Sequence, residues 1–276
     1  MPSLAAGAAA PGRWVHAHYL LGDCYFALKQ WQRSITELEQ ARKQQPDNAE
    51  ILFLLAEVYR KVGNHTQSLE AAAQLVEKHP DSLLANELLG ENYDAGGRPN
   101  QAEQEFKRAI AASPNAPGVH FSLGYLYWRW KRYAEAVAPL KEEIRINPTF
   151  GPSYFCLGDI LLKEEKPRDA AGYLKRASEL DPSSGLAYLG LGEVYVQLGQ
   201  PREAIPFFRR AVELSPDQVQ PHYWLGKTLI RIGKAEEGKR ELAEVARIHA
   251  NLEQQARDNL RQPMAPAEIG SAPVPP

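Results

Sequence analysis

Residues 151–184 read GPSYFCLGDILLKEEKPRDAAGYLKRASELDPSS, and residues 185–218 read GLAYLGLGEVYVQLGQPREAIPFFRRAVELSPDQ. Laid one under the other, they coincide at Leu157 and Leu191, Gly158 and Gly192, Ala170 and Ala204, and Pro182 and Pro216. Extended in both directions, the small residue becomes a column, Gly22, Ala56, Gly90, Gly124, Gly158, Gly192 and Gly226, spaced by 34 residues without insertion. One residue before it stand Leu21, Leu55, Leu89, Leu123, Leu157, Leu191 and Leu225. Three after it stand Tyr25, Tyr59, Tyr93, Tyr127, Leu161, Tyr195 and Leu229; twelve after it, Ser34, Ser68, Ala102, Ala136, Ala170, Ala204 and Gly238 are all small. A fixed period of this length marks a stack of supersecondary units, none of which can bury its apolar face alone.

Each unit is predicted to be two helices. The column Pro46, Pro80, Pro114, Pro148, Pro182 and Pro216 cannot lie inside a helix, so it separates the units. Asp47, Asp81, Asn115, Thr149, Ser183 and Asp217 follow these prolines, and as capping residues they predict the start of each first helix. Turn residues such as Gly63-Asn64, Gly96-Gly97 and Gly199 break each unit in the middle, with Pro99, Pro167 or Pro201 suited to the first turn of a second helix.

This pattern resembles the tetratricopeptide repeat family, whose period and helix–turn–helix unit it matches. The resemblance covers seven units from Val15 to Leu252, starting near residues 15, 49, 83, 117, 151, 185 and 219. It implies an all-α, right-handed superhelical solenoid. The expected organisation is a disordered segment over 1–12, the solenoid over 13–262 and a disordered Pro/Ala-rich tail over 263–276. Two departures stand out. Ala72 occupies a position where Leu or Phe is usual, and Ala250 replaces the last proline. Beyond it Leu242, Val245, His249, Leu252, Ala256 and Leu260 keep helical spacing, which predicts a C-terminal helix capping the open end.

Composition excludes several classes of function. The chain has 276 residues, 44% hydrophobic and 24% charged, with 32 basic against 34 acidic side chains and a net charge of −2. That balance argues against wholesale binding to nucleic acid or to an anionic membrane. No apolar run approaches the ~20 residues of a membrane span, and mean hydropathy is −0.43. Residues 1–12 carry no Lys or Arg before the weakly apolar stretch Leu4–Ala10, unlike a secretory signal, so they read as a floppy terminus or as a start inside a longer protein. A cytoplasmic location is favoured over a periplasmic or exported one.

At 100° per residue, the Leu, small-residue and Tyr columns and the residue four before the small one share the core side of the first helix. The residues six and three before it, and one and four after it, lie opposite. In the family this sequence resembles, that opposite side lines the concave groove where ligands bind. Three before the small residue stand Tyr19, Phe53, Glu87, Phe121, Phe155, Leu189 and Tyr223; one after it stand Asp23, Glu57, Glu91, Tyr125, Asp159, Glu193 and Lys227. The groove is therefore expected to be aromatic along one line and acidic along the next. In the fourth repeat Phe121, Tyr125 and Trp128 form one stripe, flanked by Glu91 and Asp94 on one side and Asp159 on the other. Aromatic anchors in a charged rim match the composition of binding hot spots. Heat-shock co-chaperones of the family grip a C-terminal carboxylate with Lys, Asn and Arg here, whereas this acidic face would repel one.

Other motifs carry no chemistry. Gly226-Lys227-Thr228 lacks the glycine of a phosphate loop, Pro221 standing in its place, and Gly190-Leu191-Gly192 lacks the third glycine and the strand of a dinucleotide site. His18, His120 and His222 fall in the core-side column and are expected to pack and hydrogen-bond. Cys24 and Cys156, almost four units apart, are expected to be two buried thiols. Lys107-Arg108, Lys175-Arg176, Arg209-Arg210 and the run Trp128–Tyr133 suggest nucleic acid, but read better as solvated helix faces and a repeat turn.

The chain is thus expected to be a non-enzymatic scaffold that binds a protein or peptide segment of apolar and basic character, with no metal and no cofactor, as part of a larger complex. The alternative is an assembly subunit whose groove is filled by its own tail or by another copy; nucleic-acid binding is a weaker one.

Overall fold

The computed structural model describes residues 11–261, and among them every element is helical. The helices are α1 (Pro11–Ala27), α2 (Trp31–Gln44), α3 (Ala49–Lys61), α4 (His65–Lys78), α5 (Leu83–Ala95), α6 (Pro99–Ala112), α7 (Val119–Arg129), α8 (Tyr133–Ile146), α9 (Gly151–Lys163), α10 (Pro167–Leu180), α11 (Gly185–Gln197), α12 (Pro201–Leu214), α13 (Val219–Arg231) and α14 (Ala235–Arg261). They form two compact units that divide within α9, at Leu157 and Gly158. Residues 1–10 and 262–276 lie outside the described residues, including most of the segment and all of the tail expected to be disordered.

The middle residue of every turn inside a repeat has a left-handed backbone: Lys29, Gly63, Gly97, Lys131, Glu165, Gly199 and Gly233, with φ between 57° and 90°. Glycine adopts this without a Cβ penalty; the two lysines and the glutamate bear it. The starts of the first helices differ from expectation. The caps lie one residue later, where Asn48 Oδ1 accepts from Ile51 N, Ser82 Oγ from Ala85 N and Ser184 Oγ from Ala187 N. Asp47 instead holds Lys78 and Gln74 of α4, at 3.2 and 3.1 Å. The fourth repeat starts later still. Pro117 and Gly118 delay α7 to Val119, and buried Glu143 of α8 caps it, accepting from Gly118 N at 2.8 and 3.0 Å.

The small-residue column is where the two helices of a repeat meet. A Cβ built on Gly22, Gly90, Gly124, Gly158 or Gly192 would lie 2.3–2.7 Å from the side chain sixteen residues on: Leu38, Phe106, Leu140, Leu174 or Phe208. The second repeat inverts the fit. Ala56 supplies a methyl group, and its partner is Ala72, both fully buried, which accounts for the departure noted above. Small residues on the second helix complete the approach: Ser34 and Ser68 donate to the carbonyls of Gly22 and Ala56 at 2.8 and 2.6 Å.

A second recurring contact joins successive repeats. Asn86, His120, Tyr154 and His222, four residues before the small column, reach the carbonyls of Pro80, Pro114, Pro148 and Pro216 at 2.7–3.0 Å. His18 and His222 also meet Glu37 and Glu241 at 2.7 Å, so these imidazoles do pack and hydrogen-bond. The cysteines differ from expectation: Cys156 is buried but Cys24 is exposed. The terminal helix expected as a cap is not a separate element. With no proline at 250 to stop it, the second helix of the last repeat runs on as the 27-residue α14.

Gly158→Ala should destabilise the chain by about 1–3 kcal/mol, overpacking outweighing helix propensity. Adding Leu174→Ala, which recreates the Ala56–Ala72 pair, should cost less than the two single losses combined; additive losses in urea unfolding would contradict the fit described here.

Candidate ligand-binding face of the first helices

Along the first unit this face is unevenly exposed. Glu50 and Leu84, six before the small column, are open to solvent, as are Asp23 and Tyr125, one after it; Tyr19, Phe53, Phe121 and Phe155, three before it, are half-buried; of the residues four after it, Asp94 is buried and Phe26, Arg60 and Trp128 are half-buried. The cause is contact between neighbouring first helices, α1 with α3, α3 with α5 and α5 with α7, which covers one edge of the face and leaves the other free. Leu84 is 59% exposed, a patch that the residue columns contained and the sequence analysis passed over.

Two apolar places form there. A cavity of about 350 Å³ is lined by Tyr19, Phe53, Leu54 and Leu84, with Asp23 and Glu50 among its acidic edges. It brings together three residues expected from sequence, Tyr19, Asp23 and Phe53. Further along, the rings of Phe121 and Tyr125 lie 5.4 Å apart, Tyr125 stacks on Trp128 at 5.4 Å, and Trp128 meets the edge of Phe155 at 6.0 Å. Phe150 joins this cluster at 4.9 Å from Phe121. It lies in the loop before α9, outside the helical columns, which is why reading helix faces missed it. Its signal was there: Phe150 stands in a column that reads Trp14, Asn48, Ser82, Ala116, Phe150, Ser184 and Gln218, where Trp14 is the other aromatic. The cluster is neither fully core nor fully free, with Tyr125 38% exposed and Phe121, Trp128 and Phe155 half-buried.

The acids between these places are engaged to different degrees. Glu57 takes a two-oxygen grip from Arg60 at 2.8 and 2.9 Å, and the same guanidinium stands 3.7 Å from Glu91. Glu87 accepts from Ser122 Oγ at 2.9 Å. Burial pushes the Glu91 carboxyl above its usual range; Arg60 works against this, and Glu57 and Glu87 add to it. Burial, Glu50 and Asp23 likewise raise the Tyr19 hydroxyl. Asp94 corrects an expectation. It is 7% exposed and accepts from Arg129 Nη1 and Trp130 Nε1, both at 2.7 Å, so it joins α5 to α7 instead of offering a charge to a ligand.

In the second unit, Asp159 lies 3.5 Å from Lys163, and burial raises the Glu193 carboxyl, with Lys163 lowering and Asp159 raising it further. Leu189 is buried. Tyr223 is 42% exposed, but the Lys227 ammonium sits over its ring at 5.6 Å, so this end of the face is cationic.

Five of the six basic side chains in the pairs on the second helices meet acids of the chain, Arg176 among them at 3.3 Å from Glu179. Lys107 meets Glu103 at 2.6 Å, Arg108 meets Glu105 at 2.9 Å, and Arg209 and Arg210 meet Glu237 and Glu213 at 3.0 Å. In the run Trp128–Tyr133, Arg132 bridges Glu103 and Glu135. Burial would raise the Glu103 carboxyl, but hydrogen bonds from Lys107, Arg132 and Tyr127 outweigh it and hold it at about 2.

Sequence profiles described as tetratricopeptide repeat match residues 19–82, 53–117, 87–149, 157–219 and 196–257. The chain is a tetratricopeptide repeat protein. Among solved structures it is similar to a tetratricopeptide repeat protein from Parabacteroides merdae, at 13% identity over 86% of this chain and 93% of that one, with a TM-score of 0.70. It is also similar to Pseudomonas aeruginosa PilF, at 18% identity over 77% and 97%, TM-score 0.65. A third is YrrB, described as a TPR protein with an unusual peptide-binding site, at 22% identity over 69% and 99%, TM-score 0.52. No curated protein matches the sequence. The tetratricopeptide repeats make the chain a scaffold for protein–protein interaction, in a family that is generally non-enzymatic. Among the described residues no helix is long and apolar enough to cross a membrane.

Asp94→Ala should lower stability by about 1–3 kcal/mol, because it strands a guanidinium and an indole N–H; a thermal melt unchanged from wild type would show that the acid is dispensable to the fold. Glu103, depressed in the folded state, contributes stability above its unfolded pKa of about 4.3 and loses it as pH falls towards about 2. Glu103→Gln should therefore unfold more easily than wild type at neutral pH, with the gap closing in acid when both are followed by circular dichroism.

Proposed function

We propose that the repeats bind a peptide or protein segment bearing apolar and basic side chains along the first helices, and that the protein works as an adaptor within a larger assembly. The observation that carries this reading is the arrangement of the first unit. Two apolar places, the cavity at Tyr19 and Phe53 and the aromatic cluster around Tyr125, are bordered by Asp23, Glu50, Glu57, Glu87 and Glu91. Half-buried rings give a ligand's apolar side chains a desolvated seat, and the surrounding carboxylates favour cations and repel an acidic segment. Glu57 and Glu91 share one guanidinium, so their charge is only partly answered within the protein. The second unit has acids of its own on this side, Asp159 and Glu193, and Tyr223 adds a ring beside Lys227. The similarity to YrrB, described as carrying a peptide-binding site, agrees with a peptide ligand.

Fluorescence anisotropy with a labelled probe peptide alternating Leu and Phe with Lys, against the same peptide with Glu in place of Lys, tests both halves of the reading. The basic peptide should bind and the acidic one should not. Tyr125→Ala, with helicity unchanged, should weaken binding about tenfold. Glu91 must be ionised to pair with a cation, and its pKa is raised, so affinity should fall as pH drops through that raised value, before ordinary carboxyls titrate. Equal binding of the two peptides would remove the electrostatic part of the proposal, and full affinity in the Tyr125 variant would remove the aromatic anchor.

A further inference from the structure

We infer that copies of this chain associate head to tail, with the open face of α1 in one copy seated on the open face of α14 in the next. One contact between helices repeats inside the chain. Within each unit a second helix packs on the first helix that follows it, α2 on α3, α4 on α5, α6 on α7, α10 on α11 and α12 on α13. On the first-helix side the contact buries Leu55, Leu89, Leu123, Leu191 and Leu225 to 7% exposure or less. Two residues beyond the small column, Val58, Leu126, Ile160 and Val194 are buried as well. On the second-helix side it uses the residue sixteen after the small column. Leu174 packs against Gly190 of the next first helix, and Phe208 stacks on Trp224.

Among the described residues no helix covers the same face of α1. Leu21, equivalent to those five buried leucines, is 46% exposed; Cys24 is exposed where its apolar counterparts are buried, and Leu28 is 65% exposed. With Trp14, 57% exposed, and Ala17 they are spaced 3, 4, 3 and 4 residues apart, the pattern of a seam that receives another helix. Between Trp14 and Leu28 the helix carries one Asp, no Glu, Lys or Arg, and so brings little charge to such a contact. On α14 the other half of the contact is open in turn. Leu242 and Val245 are half-buried, whereas their equivalents Leu38, Ala72, Phe106, Leu140, Leu174 and Phe208, and Ala41, Leu75, Ala109, Ala177 and Ala211, are buried; one turn or two further on Leu252 is 52% exposed. The two open faces are the two sides of one interface that the chain already makes between its own repeats. That argues for a second copy as the occupant, and a contact between unlike faces propagates instead of stopping at a symmetric dimer.

Sedimentation velocity over about a hundredfold range of concentration should show mass rising with concentration. Leu28→Glu, directly after α1, and Leu252→Glu on α14 alter exposed side chains, and circular dichroism confirms that each variant is folded. Each alone should lose self-association by about tenfold or more. Mixed, they should form a one-to-one dimer and nothing larger, since one keeps only its α14 face and the other only its α1 face. Tyr125→Ala should associate as wild type does, which separates this contact from the ligand face. A chain that stays monomeric throughout overturns the inference. So does an α14 variant that still dimerises, which would mean that α1 pairs with α1, and so does a mixture that remains monomeric.

Discussion

The structure depends on how closely the two helices of a repeat approach. At Gly22, Gly90, Gly124, Gly158 and Gly192 there is no room for a Cβ, and the space is filled by a Leu or Phe sixteen residues on. One missing methyl group per repeat lets a large side chain reach the backbone of its partner helix, and the apolar core of each unit is built from these insertions. Ala56 and Ala72 show that the constraint is on summed volume and not on glycine itself. Everything else in a repeat is hung from this contact: the left-handed turn that returns the chain, the second helix that leans on the next repeat, and the first helix whose far side is left without a partner.

That far side is where the chemistry sits, for a reason that follows from the packing. A first helix spends one side on its own second helix, another on the preceding repeat and an edge on its neighbours. What remains is a strip one or two residues wide, and its content is unconstrained by the fold. Aromatic rings and carboxylates can accumulate there at small cost in stability, because rings such as Tyr125 and Trp128 stack on each other and acids such as Glu57 find a guanidinium one turn away. The same strip shades into structure at its edge. Asp94 has the periodicity of a groove acid, yet it holds α5 to α7 through Arg129 and Trp130.

The basic side chains illustrate the same economy. Pairs that would suggest a nucleic-acid surface in isolation are answered by acids from the same or the neighbouring helix, as Lys107 and Arg132 are by Glu103. Much of the positive charge on the second helices is thus answered locally, while the carboxylates of the first helices are only partly compensated.

The repeat, its helices and the identity of the small column were legible in the sequence, because a period of 34 residues repeats the same steric demand and leaves the same mark each time. So was the ring of aromatics on the fourth repeat, because helical spacing alone puts Phe121, Tyr125 and Trp128 on one side. What only the tertiary structure decided is how each of those residues is used. Phe150 joins the cluster from a loop, Asp94 is consumed by a contact from the next repeat, Glu143 caps a helix from outside it, and Cys24 is exposed where its counterparts in later repeats are buried. Periodicity reports the direction in which a side chain leaves its own helix; whether another group stands there is a property of a different part of the chain, and only the packed structure contains it.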